Sequence, residues 1–255
     1  MKILALTGTK RKGNSILAAK YIAKKLNAEL DILNVTELKI EPCKACYACL
    51  FGQECMIDDD VNFVFSKLLE ADFVLISSAI YWLDATGMMK ALLDRMFMAL
   101  PHMKELSRKK GAVIYFYGFE ELRGWGANTY NILLRVLGIE PLAILPIHAA
   151  LPGEALTEEN VKKLDLLAEA IRKEERLKLD GQCPVCLSEV FRAKEGKLEC
   201  TVCRSKLTDD LQVVETGDVL SYDWMVKHYG VLRGFKEKFI EQREVLARLR
   251  EKYGV

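Results

Sequence analysis

Eight cysteines in this chain fall into two groups with none left over. Cys43, Cys46, Cys49 and Cys55 are spaced C-x2-C-x2-C-x5-C, and Cys183, Cys186, Cys200 and Cys203 form two C-x2-C pairs thirteen residues apart. A two-residue gap lets neighbouring thiolates turn toward one centre. Zinc takes its thiolates as two separated pairs, whereas three cysteines at successive two-residue gaps suit one cubane. The first group therefore predicts a 4Fe-4S cluster; the plainer alternative is a loop of reduced cysteines that binds nothing. The second group has the pattern of a zinc ribbon. With all four positions supplied by protein there is no open coordination site, so its metal is expected to be structural, with a rubredoxin-like iron as the alternative occupant.

Both assignments require reduced thiols. No apolar run is long enough to cross a bilayer, and Lys10 and Arg11 follow Met1–Leu6 after too few apolar residues for a secretory signal. A cytoplasmic location is expected, where eight cysteines argue for metal rather than disulfides. The alternative is a hyperthermophilic source, where cytosolic bridges occur. A hydrophobic content of 51% excludes a disordered chain, and a net charge of +1 gives no footprint for nucleic acid or membrane.

The elements that must position these cysteines alternate along the chain. Apolar runs over Lys2–Thr7, Glu29–Val35, Phe73–Ser78, Ala112–Tyr117 and Leu142–Ile147 read as strands. Helical stripes intervene over Ser15–Leu26, from Asp58-Asp59-Asp60 onward, over Met88–Leu100 and over Ala127–Leu137, and a long one runs from Thr157 to about Leu179. The acidic triplet complements the positive end of a helix dipole, so it reads as a helix start. Pro141 and Pro146 place the fifth strand at an edge. The expected fold is α/β: a doubly wound, five-stranded parallel sheet with helices on both faces. Such sheets bind ligands beyond the carboxyl ends of their strands, which selects the loops after strands one, three and four.

The first of these loops is Gly8-Thr9-Lys10-Arg11-Lys12-Gly13-Asn14-Ser15. Its glycines permit a tight turn, and the helix behind it presents N–H groups to an anion, with Thr9, Arg11, Asn14 and Ser15 at hand. It matches neither the P-loop nor the Gly-x-Gly-x-x-Gly pattern. Ser77–Trp82 and Gly118–Gly126 offer aromatic faces and backbone donors suited to a flat ring with a polar rim. Tyr81, Trp82 and Trp125 are equally consistent with core or interface aromatics.

These stretches resemble the flavodoxin-like NAD(P)H-dependent FMN reductases, in particular the iron–sulfur flavoproteins. The family's Gly-Ser-Pro-Arg…Gly-Asn-Thr is matched by Gly8-Thr9-Lys10-Arg11…Gly13-Asn14-Ser15, and its Pro-Val-Tyr-Trp…Lys…Asp-Arg by Ala79-Ile80-Tyr81-Trp82…Lys90…Asp94-Arg95. The compact cysteine motif followed by Asp-Asp is a third match, and the resemblance covers roughly residues 1–175. It departs at Ala79, where the family carries proline.

The resemblance implies that Thr9, Arg11, Gly13, Asn14 and Ser15 hold an FMN phosphate. Ser78, Ala79, Ile80, Tyr81 and Trp82 would border the isoalloxazine ring, with Gly118 to Gly124 along its other edge. Asp94 and Arg95 would form a structural ion pair. The flavin carries the chemistry, so no protein acid or base is required. It implies an FMN-dependent oxidoreductase, with NAD(P)H as a candidate co-substrate, that converts between two-electron and one-electron transfer. The expected partners are a small-molecule or ferredoxin-like electron carrier and further copies in a dimer or tetramer. Two alternatives stand beside it: an FMN or quinone reductase with an empty cysteine loop, and a non-catalytic redox sensor that binds through its ribbon.

The expected domains are a flavodoxin-like unit over 1–178, the ribbon over 179–208 and a helical segment over 209–255. The ribbon is too short to be stabilised by burial alone, so metal binding must supply its folding free energy. Leu232, Phe235, Phe239, Leu246, Leu249 and Tyr253 form a helical stripe that needs a covering surface. His102, His148 and His228 are isolated in sequence and read as surface or core histidines.

Overall fold

The computed structural model describes residues 1–11 and 13–254, apart from the Lys236 side chain. Its first unit is built from β1 (Lys2–Thr7), α1 (Asn14–Leu26), β2 (Glu29–Asn34), α2 (Val61–Glu70), β3 (Phe73–Tyr81), β4 (Asp84–Ala85), α3 (Gly87–Asp94), α4 (Met103–Leu106), β5 (Lys110–Tyr117), α5 (Gly126–Val136), β6 (Glu140–His148) and α6 (Glu158–Lys173). The main path of the sheet is β2-β1-β3-β5-β6, all parallel, with β4 antiparallel to the end of β3. The order reverses between β1 and β3, which opens a crevice at their carboxyl ends.

Both faces of the sheet are buried, and side chains alternate between them. Along β1, Ile3 and Ala5 pack with Ala18 and Ile22 of α1 and Leu164 and Leu167 of α6. Leu4 and Leu6 face the opposite layer, with Val64 of α2, Met89 of α3 and Tyr130 of α5. The inner strands β1, β3 and β5 are near-continuous buried runs because neither of their faces meets water, whereas the edge strand β2 carries Glu29 and Asp31 and is half exposed.

Several expected boundaries shift. The helix expected to reach Leu179 stops at Lys173, where Glu174 turns left-handed (φ 55°) and its N–H bonds Ile171 O. The chain then drops Leu177 beside Ala143 as an isolated parallel bridge, partly covering the outer edge of β6. The helix expected over Met88–Leu100 ends at Asp94 and continues as a 3-10 segment over Met96–His102, which contains Pro101. β3 runs three residues past Ser78 before Trp82 (φ 49°) and Leu83 (φ 71°) turn it into β4.

A second sheet follows, ordered β10-β9-β8-β7 and antiparallel, from β7 (Phe191–Lys194), β8 (Lys197–Cys200), β9 (Lys206–Leu207) and β10 (Val213–Glu215). The last element is α7 (Tyr222–Tyr253), capped by the Ser221 side chain, which accepts from Trp224 N. Its base buries Met225, Tyr229 and Leu232 against the first unit, while Phe235, Phe239, Leu249 and Tyr253 are exposed. Among the described residues no helix is long and apolar enough to cross a membrane.

Candidate cofactor sites

The loop after β1 and the carboxyl ends of β3, β5 and β6 enclose a cleft of about 260 Å³. Thr9, Arg11, Gly13, Asn14, Ser15, Ala79, Ile80, Tyr81 and Gly118 line it, so nine of the twelve residues expected at the flavin converge there. Phe119, within the expected Gly118–Gly124 stretch, lines it too, as do Phe116, Ala149 and Ala150, which were not singled out from sequence. The signal for Ala149 and Ala150 was present: they leave the carboxyl end of β6, which the sequence reading did not assign to the site. The other three expected residues lie nearby. Ser78 is buried beneath the cleft, where its Oγ accepts from Gly8 N (3.2 Å) and donates to Tyr130 Oη (3.1 Å). Trp82 stands 90% exposed, and Gly124 (φ 56°) lies against Leu83, with no room there for a Cβ.

At the mouth of α1, Ile16 and Leu17 N both bond Gly13 O at 3.1 Å, leaving the first N–H groups, at Asn14 and Ser15, without an intrahelical acceptor. A helix N-terminus of this kind suits a phosphate. The Asn14 side chain is engaged elsewhere: it donates to Leu151 O (2.9 Å) and Ala149 O (3.3 Å) and accepts from Gly153 N (2.9 Å) and Ala155 N (3.2 Å). It staples the loop after β6 over the cleft. Burial pushes the Tyr130 hydroxyl up to about 12, so it stays protonated and donates to Ala79 O (2.5 Å), fixing the carboxyl end of β3.

The first cysteine group occupies the loop between β2 and α2. Ala45 (φ 49°) and Tyr47 (φ 59°) are both left-handed, which winds the chain so that Cys43, Cys46, Cys49 and Cys55 line one small cavity. Beside them lies Arg95, 1% exposed. Its guanidinium forms a buried ion pair with both carboxylate oxygens of Asp59 and donates to Glu41 O (3.0 Å) and Cys55 Sγ (3.3 Å). The expected Asp94–Arg95 pair is therefore corrected: Asp94 pairs with Lys90 on the helix surface, where i,i+4 spacing brings them together. Asp59, read from sequence as part of a helix start, also accepts from Glu41 N and Val61 N. Burial opposes its ionisation, but the Arg95 hydrogen bond and these two N–H groups outweigh it and hold its carboxyl below the usual range. Burial, and then the other three sulfurs, push the Cys49 thiol up.

A larger cavity of about 580 Å³ adjoins this loop between Cys43, Phe97, Met225 and Tyr229. Tyr47 packs edge-on to Phe97, and Phe97 to Tyr229, while Arg233 donates to Leu50 O. The base of α7 thereby buttresses the cysteine loop.

The two sulfur groups differ in spread. Cys183, Cys186, Cys200 and Cys203 are buried with their sulfurs all within 4.8 Å, at 3.7 Å for Cys183–Cys203 and 3.4 Å for Cys186–Cys200. A single tetrahedral ion with bonds of about 2.3 Å places its sulfurs about 3.8 Å apart, so this group fits one ion. Among the described residues no other group of metal-ligating side chains is drawn so close. The first group is spread more widely, and its all-thiolate donor set is of the kind an iron–sulfur cluster takes.

The profile of a family described as NADPH-dependent FMN reductase matches residues 1–132. An iron-sulfur flavoprotein of Archaeoglobus fulgidus is 35% identical over 150 residues, covering 58% of this chain and 72% of the relative. A second iron-sulfur flavoprotein from that organism is 30% identical over 179 residues, covering 67% of this chain and 79% of its own. Among solved structures, a flavone reductase matches with a TM-score of 0.72 at 19% identity, over 100% of this chain and 98% of its own. That last likeness is one of fold.

Proposed function

We propose, because this chain belongs to the NADPH-dependent FMN reductase family, that it is an FMN-dependent oxidoreductase linking a two-electron donor to a one-electron carrier. The relatives named iron-sulfur flavoproteins support a 4Fe-4S cluster at Cys43, Cys46, Cys49 and Cys55. The observation that carries this reading is the pairing of two features: a cleft at the carboxyl ends of the strands, and four cysteines around one cavity beside a buried guanidinium. NAD(P)H is the proposed donor, a ferredoxin-like carrier the proposed acceptor, and a homo-oligomer the proposed state. The ribbon is assigned a structural zinc.

When bound, the flavin supplies two-electron and one-electron chemistry at one centre, and the cluster supplies a one-electron relay. The residues do the positioning. The first N–H groups of α1 and Arg11 bind the phosphate, and Asn14 closes the loop after β6 behind it. Tyr81 and Phe119, both largely exposed, line the cleft and would cover a planar ring bound there. Arg95 offsets the negative charge of ligated thiolates and is itself held charged by Asp59. No side chain in the cleft is needed as an acid or base.

Anaerobic purification with FMN, iron, sulfide and zinc quantified tests this. About one FMN, four irons and four sulfides per chain are expected, with about one zinc. Protein that stays colourless after reconstitution with FMN, iron and sulfide would overturn the reading.

A further inference from the structure

The ribbon is fastened to the segment that leads from the cleft into α5. The residues immediately after Cys186 meet the segment that runs from the loop following β5 into α5. Asn131 Nδ2 donates to Cys186 O at 2.8 Å, and both atoms are buried. Asn128 Oδ1 accepts from Ser188 Oγ (3.0 Å) and Glu189 N (3.4 Å). The Glu189 carboxylate accepts from Arg123 Nη2 (2.9 Å) and from the Tyr115 hydroxyl (2.7 Å), to which Arg123 Nε also donates (2.6 Å). Gln182 closes the set, donating to Glu189 Oε1 (3.0 Å) and to Ile144 O in β6 (2.7 Å).

Arg123 belongs to the loop whose Gly118 and Phe119 line the cleft. The far end of that loop is fixed by Trp125 N and Gly126 N, which donate to Leu83 O. Between these anchors Arg123 lies over the Tyr115 and Tyr117 rings (5.6 and 5.7 Å); besides Tyr115 Oη it donates to Glu189 at 2.9 Å and, at a longer 3.4 Å, to exposed Glu120 of its own loop. Glu189 in turn is placed by the turn at the first cysteine pair: Leu187 is left-handed (φ 64°), Leu187 N bonds Cys183 O, and Cys183 N bonds Ser188 O. That turn carries Cys183 and Cys186, so an ion shared by their thiolates would add its binding free energy to holding the turn's shape.

We propose that Glu189 is a positioning residue for the flavin, acting through Arg123, and that metal in the ribbon thereby sets the affinity of the cleft for FMN. The ribbon is then a splint for the loop after β5, and metal loss from it loosens flavin binding in a cleft whose own lining holds no ribbon residue. This rests on the FMN reading given above.

The test measures FMN dissociation constants by flavin fluorescence on the full chain, with zinc content and thermal midpoint recorded for each variant. Glu189→Gln should weaken FMN binding roughly tenfold, as expected for losing a charge-assisted contact, while zinc content is kept. Glu189→Asp should recover part of the loss. Arg123→Gln should have a similar effect, and the double variant should be no worse than either single one, because both act through one contact. Stripping zinc with a chelator should weaken FMN binding in the native chain and add little in Glu189→Gln. Unchanged FMN affinity in zinc-retaining Glu189→Gln, or additive single effects, would overturn the proposal. A native chain that binds no FMN would instead overturn the function it rests on.

Discussion

Arg95 and Asp59 show how much one buried contact organises. Both side chains are almost completely buried, and Arg95 touches the cysteine loop, the chain entering it and the start of α2. Removing one partner of such a pair leaves the other charge uncompensated, so Asp59→Asn should cost about 3–5 kcal/mol, read from denaturant midpoints. The pair also makes an acid-sensitive contribution. Because the folded pKa of Asp59 lies below its unfolded value, its stabilisation is fully present above about pH 4 and is lost as pH falls through the depressed folded value. Stability of the native chain measured between about pH 5 and pH 2 should therefore fall more steeply than that of Asp59→Asn. In sequence Arg95 stood next to an acidic residue and invited the wrong pairing. Its true partner is 36 residues earlier, a separation that only the packing of α2 against the sheet closes.

Among the elements, the turn between β3 and β4 and the loop after β5 are fitted to each other. Gly124 has φ +56°, and a Cβ there would lie 2.2 Å from Leu83 O. Gly124→Ala combines a strained dihedral with a backbone clash, so about 1–3 kcal/mol of stability should be lost. FMN affinity should fall with it, because Gly118 and Phe119 share that loop; titration of flavin fluorescence checks this. The glycine was expected beside the flavin; it is not among the residues that line the cleft and lies against Leu83, a contact the sequence did not announce because the left-handed turn at Trp82–Leu83 contains no glycine. Asn14 is a similar case: expected near phosphate, it spends its side chain on the loop after β6. The end of α6 was misplaced because Leu177 and Leu179 keep an apolar pattern while packing against β6 as extended chain.

Across the whole molecule, α7 joins the cysteine loop at its base and leaves the body above it. Met225, Tyr229 and Leu232 are buried, whereas Phe235, Phe239 and Leu249 are about half exposed and Tyr253 is 70% exposed. Deleting residues 235–255 should shift the thermal midpoint by less than about 4 °C, since little of that stretch is buried on folding within the chain. Circular dichroism melting checks it; a larger drop would mean that the outer turns contribute to the body's stability.

The sequence by itself determined what local chemistry dictates. Cysteine spacing defined both thiol groups, the apolar runs marked the five parallel strands, and the Gly8–Ser15 loop marked one wall of the cleft. Each of these signals is carried by neighbouring residues, whose spacing survives translation into backbone geometry. The tertiary structure alone decided that Asp59 holds Arg95 beside Cys55, that the outer turns of α7 stand clear of the body, and that Glu189 grips Arg123. Those contacts join residues tens of positions apart, and a charge or an apolar side chain names no particular partner until packing brings one within reach.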